Sequence, residues 1–365
     1  MVKRPALSVT SGRAPIPASA PAAASELAPI GVGVGPVSPI ESAGAPESSP
    51  LAPETPTGAT ASFRFFSPSS VWNEAVGADA LLDASSGEYV ESLAAEVARE
   101  QRIASGPWIN TTSDGVPIYT VAAGESTVPV TLEVAEPALA AAWTEVPLPA
   151  AAQPAAGTDK ILVVWQPSTD RMWEFWRLLH RAGGWSASWG GAIQSVSGDP
   201  GVYGAEAWPG AMPWWGASAS SLAIAGGLMT FEDLQQGRIE HALAISVPNP
   251  RATVYALPAK RTDGQSERRL ALPEGAHLRL DPTLDLSALH LPRLTLMMAE
   301  AAQRYGIIVR DRSPNIAFFG QDPTSLGENP YLGASGYYRG LYPNQVLASF
   351  PWSHLQLLKM TLAQH

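Results

Sequence analysis

No aromatic residue occurs before Phe63, and nine of the twelve tryptophans crowd between Trp143 and Trp215. A chain closes a core only where large apolar side chains are available, so folding has to begin near residue 61. The first sixty residues hold 11 of the 34 prolines together with many Ala and Ser. Such a segment buries too little apolar surface to offset its ordering entropy. It reads as a disordered, partly polyproline-II tether over residues 1–60, ahead of a β-rich globular domain over 61–365. Met1 to Leu7 has the basic start of a signal peptide, but the apolar stretch of roughly 7–15 residues that should follow is interrupted.

Composition removes whole classes of chemistry. With no Cys, disulfides, thiolate metal sites and Cys nucleophiles are excluded. A formal charge of −10 argues against nucleic acid as a partner. No window holds the ~18 successive apolar residues a membrane span needs. There is no GxSxG elbow, no Walker loop and no GxGxxG within a βαβ unit.

From Phe63 onward, short apolar runs alternate with turn residues. Val116–Val121, Val128–Val134, Ile161–Trp165, Met172–Leu178, Trp185–Gly190, Ile239–Val247, Ala252–Leu257 and His277–Asp281 read as strands. Gln166 to Asp170 reads as the turn of a hairpin. Helical periods occur at Glu88–Ile103 and Leu291–Tyr305, the second opening near Pro292 and ending at Gly306. The expectation is a mainly β, single-domain β-sandwich or jelly roll with about two packed helices. The helix–strand unit over 291–311 keeps an α+β arrangement open.

Candidate chemistry follows from strand periodicity. In Arg171 to Arg177, Glu174 and Trp176 share one face, and a carboxylate beside an indole has its pKa raised toward general-acid use; an exposed edge-strand Glu is the competing reading. His241 falls in phase with Ile239, Leu243 and Ile245, as a core histidine or as a general base. Asp311, after the strand Ile307–Val309, is either a second base or a turn-forming residue. Arg279 shares a face with His277 and Asp281 and could fork onto a carboxylate. Trp176, Trp189, Trp208, Trp214 and Trp215 are either core or a platform for sugar rings. No histidine spacing suits zinc. No cofactor is expected; oxygen-ligated Ca²⁺ alone stays open, without an EF-hand or Asp-rich nonapeptide.

Several phrases recur in order over roughly residues 66–320: SPSSVWN, WEFW, WSASWGG, GRIEHALAISV, LPAKR, PEGAHLRLDPTLDL and AAQRYGIIVRDRS. In these the chain resembles an uncharacterised family of exported β-rich proteins of actinobacteria and other soil bacteria. Relatives tend to read WPARH where this chain has LPAKR, which sets Arg261 in the place of a histidine. The resemblance implies export and a link to carbohydrate-active or cell-surface architectures, with no reaction to carry over. The expected function is therefore an extracellular or cell-surface, polysaccharide-active protein, cleaving a glycosidic bond as a glycoside hydrolase or lyase by carboxylate/His chemistry. A non-catalytic glycan binder and a surface or virion adhesion protein are the alternatives.

Overall fold

The computed structural model describes residues 64–364; the tether assigned to residues 1–60 lies outside them. The described chain opens with helix α1 (Ser86–Arg102), the short strands β1 (Trp108–Asn110), β2 (Ile118–Thr120) and β3 (Val130–Leu132), and helix α2 (Pro137–Ala142). Strands β4 (Leu162–Gln166), β5 (Arg171–Trp176), β6 (Leu179–Arg181), β7 (Gly184–Ala187) and β8 (Trp189–Ile193) follow. A long irregular stretch leads to α3 (Phe231–Gln236), β9 (Leu243–Val247), β10 (Val254–Ala256) and β11 (His277–Leu280). Helix α4 (Arg293–Arg304) feeds β12 (Ile307–Arg312), followed by β13 (Ala317–Phe319), α5 (Pro343–Val346), β14 (Leu355–Leu357) and β15 (Leu362–Gln364).

The described chain is mainly β, as its patterning predicts, with its strands in four sheets. Six strands join in the order β1-β13-β9-β12-β11-β14, four in the order β2-β4-β5-β8, three in the order β3-β7-β6, and β10 pairs β15. The sheets are mixed: β1/β13, β9/β12, β2/β4 and β3/β7 run parallel. β4 and β5 form the expected hairpin around a tight 3-10 turn, with Asp170 in the left-handed conformation. β4 is buried at every residue, as its unbroken apolar run requires for a strand paired on both sides.

Two cores result. One forms against the four-stranded sheet around Trp143, Trp173, Phe175 and Trp215. The other forms around the six-stranded sheet, where α4 packs on β11 and α1 on β14. Helix α1 buries Tyr89, Val90, Leu93 and Val97, a stripe at helical spacing; full burial of such a side chain is worth roughly 1.5–3 kcal/mol. Gly306, at φ 91°, ends the α4 unit and turns the chain straight into β12.

Two strand expectations needed correction. Trp185 to Gly190 divides into β7 and β8, which belong to different sheets. Residues 239–242 lie outside β9, because the Ala242 N–H is taken by the Trp72 carbonyl at 2.6 Å rather than by a neighbouring strand. His241 therefore precedes the strand whose face it was expected to share. No described helix is long and apolar enough to cross a membrane.

Candidate functional site

Glu174 lies on β5 opposite Val163 of β4 and Gly191 of β8. A side chain at 191 would collide with the Tyr203 ring, so this glycine lets Tyr203 close over the strand. Glu174 is fully buried. Its Oε1 accepts the Ala217 N–H and its Oε2 the Ile224 N–H, both at 2.8 Å. Burial pushes the carboxyl up to about 7, opposed by those two donors and by the Arg310 charge. The direction is the one expected from sequence, but the cause is enclosure rather than the indole of Trp176.

Arg310 faces the same loop from the other sheet. β12 carries an irregularity between Val309 and Asp311, which pair with the consecutive residues Ile245 and Ser246 of β9, so Arg310 is the extra residue of a bulge. A bulge re-aims a side chain that strict alternation would send elsewhere. The guanidinium, fully buried, donates to the Ile224 carbonyl at 2.5 Å and the Gly226 carbonyl at 2.9 Å, and sits 4.0 Å over the Phe319 ring. Arg261 donates to the carbonyls of Gly216 (3.0 Å) and Ser218 (2.6 Å). Burial brings both arginines down to about 10. Ser218 and Ser220 add bonds to the Leu222 and Arg310 carbonyls. Residues 216–226 are thus pinned by one acid accepting N–H groups and two arginines donating to C=O groups. The polar seam joins β5 to β12 and satisfies buried backbone that no strand partner reaches.

Asp311 continues this seam into a group of three carboxylates. Ligand oxygens of Asp263, Glu274 and Asp311 all lie within 4.8 Å of one another, a grouping that could hold a metal ion. Asp311 accepts from the Arg312 N–H at 2.8 Å and the Ala219 N–H at 3.4 Å. Glu274 is fully buried and accepts the Asp263 N–H at 3.1 Å. Burial first, and the neighbouring carboxylates second, raise Asp311 to about 7 and Glu274 well above its ordinary range.

His241 lies apart from these groups. Its Nδ1 donates to the Ala242 carbonyl at 2.8 Å, and its Nε2 bonds Asp233 at 3.1 Å. Asp233 in turn closes the capping box of α3 with Thr230. Burial lowers the proton affinity of His241, but the Asp233 charge and both hydrogen bonds outweigh it and raise the pKa. With both nitrogens facing acceptors, the ring is held as a double donor. The adjoining cavity, lined by Phe66, Trp72 and Asp233, holds about 10 Å³, room for one water. Ala225 to Leu228 line this cavity while Ile224 bonds Glu174, so the expected acid on β5 and the expected base ahead of β9 face different parts of one loop, and no hydrogen bond joins them.

The binding residues expected from sequence scatter likewise. Arg279 is buried and donates to the Gly77 (2.6 Å) and Ala78 (3.2 Å) carbonyls and to Gln356 (3.0 Å), fastening the segment before α1 rather than facing solvent. Trp215 is fully buried and offers no open face. Trp176 and Trp189 are cross-strand partners and half-buried; Arg177 covers Trp176, which also donates to Asp159. Trp208 is half-buried under Arg171 and beside Trp173. Trp214 alone of the five is exposed, at 40%.

A cleft of about 340 Å³ lies elsewhere, at the β1 edge of the six-stranded sheet. Trp108, Asn110 and the loop Thr111 to Asp114 form one wall; Asn329, Leu332 and Pro343 form the other. Leu332 is 61% exposed, and Tyr342, next to Pro343, is 72% exposed. Sequence reasoning missed this cleft, since Asn, Thr and Ser in loops carry no periodic signal. It also missed Glu274, Asp263 and Arg310; a lone charge inside Ile307-Ile308-Val309-Arg310 was the available cue for the last. Comparison with family models, with curated proteins and with solved structures finds no match to this chain.

Proposed function

We propose that this protein is an extracellular or cell-surface glycan-binding protein that takes polysaccharide into the cleft at the β1 edge. The observation that carries the reading is the lining of that cleft. It combines the half-buried indole of Trp108 and the apolar rim of Leu332 with Asn110, Thr111, Thr112, Ser113, Asp114 and Asn329. A sugar ring presents an apolar C–H face and a rim of hydroxyls, so it needs this mixture of flat apolar surface and short hydrogen-bonding groups, here amides and hydroxyls with one carboxylate. About 340 Å³ falls within the usual range for ligand pockets. The tryptophans favoured from sequence support binding less directly, because among them only Trp214 is exposed.

Cleavage of a glycosidic bond is the second reading, favoured by one observation: the Glu174 carboxyl is raised to about 7, into the range of a general acid. Against it stand the enclosure of Glu174 and the lack of a hydrogen bond between it and His241.

The experiment is a panel of plant and bacterial cell-wall polysaccharides offered to the full chain, with binding followed by calorimetry and released ends measured in parallel. Binding without release is expected. The exposed cleft variants Asp114→Ala and Leu332→Ala should each weaken it about tenfold, the 1–2 kcal/mol of one lost polar or apolar contact. Binding that persists unchanged in both variants, or no binding to any polysaccharide, sinks the proposal. Release of ends that stops in Glu174→Gln establishes the second reading.

A further inference from the structure

We infer that Asp263, Glu274 and Asp311 form a binding site for one hard divalent cation of Ca²⁺ size, separate from the glycan cleft. The three carboxylates come from two loop positions and from the bulged strand β12, and the fold brings their oxygens within 4.8 Å of one another. Three points no farther apart than this lie within about 2.8 Å of a common centre, so small side-chain rotations bring all three to the 2.3–2.6 Å of Ca²⁺–oxygen bonds. The ~2.0–2.1 Å octahedron of Mg²⁺ would require a larger contraction.

The second observation is Glu274 itself. Its side chain is fully buried, yet Oε1 has no hydrogen-bond partner in the protein. A buried carboxylate oxygen without a partner carries its full desolvation cost, and a cation supplies what the protein does not. The nearby arginines do not meet that need. Arg261 directs its NH2 to the Gly216 and Ser218 carbonyls, and Arg310 directs its NH1 to those of Ile224 and Gly226. Arg312 approaches Asp263 only to 3.9 Å. Asp263 and Asp311 are each half-buried, which leaves the site an approach from solvent and room for water ligands. Hard oxygen donors without imidazole or thiolate suit Ca²⁺, Mg²⁺ and Mn²⁺ rather than zinc or copper, and the wide spacing favours the largest of these, Ca²⁺.

Calorimetric titration of the chelator-treated full chain with CaCl₂, and separately with MgCl₂, tests this. One saturable Ca²⁺ site is expected, with affinity at least tenfold above that for Mg²⁺ and an upward shift of the melting transition by several degrees. Asp263→Asn, at a half-buried position and checked for fold by circular dichroism, should lose at least tenfold in Ca²⁺ affinity. Absence of saturable one-to-one binding to the wild-type chain up to about 10 mM, beyond the weakest extracellular Ca²⁺ modules, overturns the proposal whatever the variants do. So does unchanged affinity in a folded Asp263→Asn. Glycan binding enters none of these readouts, so either proposal can fail alone.

Discussion

The interior seam of Glu174, Arg261 and Arg310 and the cleft beside β1 have opposite characters. The seam is charged and closed, and each of the three binds backbone groups of residues 216–226. The cleft is lined mainly by uncharged side chains, opens to solvent and carries exposed rim residues. The residue types that look most chemical in a sequence are here the ones that hold the two main sheets together. Short amides and hydroxyls, which look least chemical, line the space a ligand can enter. The difference teaches that a charge in an apolar strand is turned first toward its own burial. Here Glu174 accepts from, and one guanidinium nitrogen of each arginine donates to, the peptide groups of an irregular loop, while Arg310 Nε and NH2 and Arg261 Nε stay without a hydrogen-bond partner in the protein.

The comparison breaks most readily at Arg310. Arg310→Met leaves the Ile224 and Gly226 carbonyls without donors and Glu174 without its counter-charge. A loss of about 3–5 kcal/mol of unfolding free energy is expected in denaturant titration. A loss below 1 kcal/mol would show that the seam does not hold the sheets.

Glu174 comes next. In Glu174→Gln an amide NH₂ faces a backbone N–H, which costs about 1–3 kcal/mol at pH 5. The wild-type carboxyl titrates near 7 folded and near its ordinary 4.5 unfolded. The folded state therefore keeps a proton that the unfolded state releases, and wild-type stability falls as pH rises from 4.5 to 7. Gln has no such slope, so the gap between the two proteins should narrow from pH 5 to pH 8. A constant gap would place this titration elsewhere.

His241 tests a contribution of comparable size. Its raised pKa gives stability that is full below the ordinary value near 6.5 and lost as pH rises through the folded value. His241→Gln should cost about 1.5–3 kcal/mol at pH 6, the worth of a charge-assisted bond to Asp233, and less at pH 9. Equal costs at both pH values would mean a neutral ring. Smallest of all, Asp114→Ala and Leu332→Ala at the cleft should change stability by no more than about 0.5 kcal/mol, while changing glycan affinity. Large destabilisation there would erase the distinction between the two regions.

Much of the fold was legible in the chain. The buried run of β4, the β4–β5 hairpin, and helices α1 and α4 all carry local patterns whose period is the period of the structure. The site was legible only in fragments. Glu174 stood out as a carboxylate on a strand; Asp311 reads as lying just after the strand Ile307–Val309, which in the structure runs on to Arg312 and includes it. Glu274 stood before a glycine in a loop, with nothing local to relate it to Asp263 or Asp311. His241 was misplaced because the alternation Ile239, His241, Leu243, Ile245 continues past the true start of β9 at Leu243.

What the sequence determined by itself was where a core could exist, because aromatic side chains are confined to Phe63 and beyond, and where the longer strands lie, because side-chain alternation is a local property; three-residue strands such as β1, β13, β14 and β15 are too short to show it. The absence of Cys likewise restricted any site to oxygen and nitrogen donors. Only the tertiary structure decided which charges meet. The bulge at Arg310, the glycine at 191 that admits Tyr203, and the assembly of Asp263, Glu274 and Asp311 join positions far apart in the chain. Their cost or benefit depends on burial and counter-charge, which exist only once the sheets have packed.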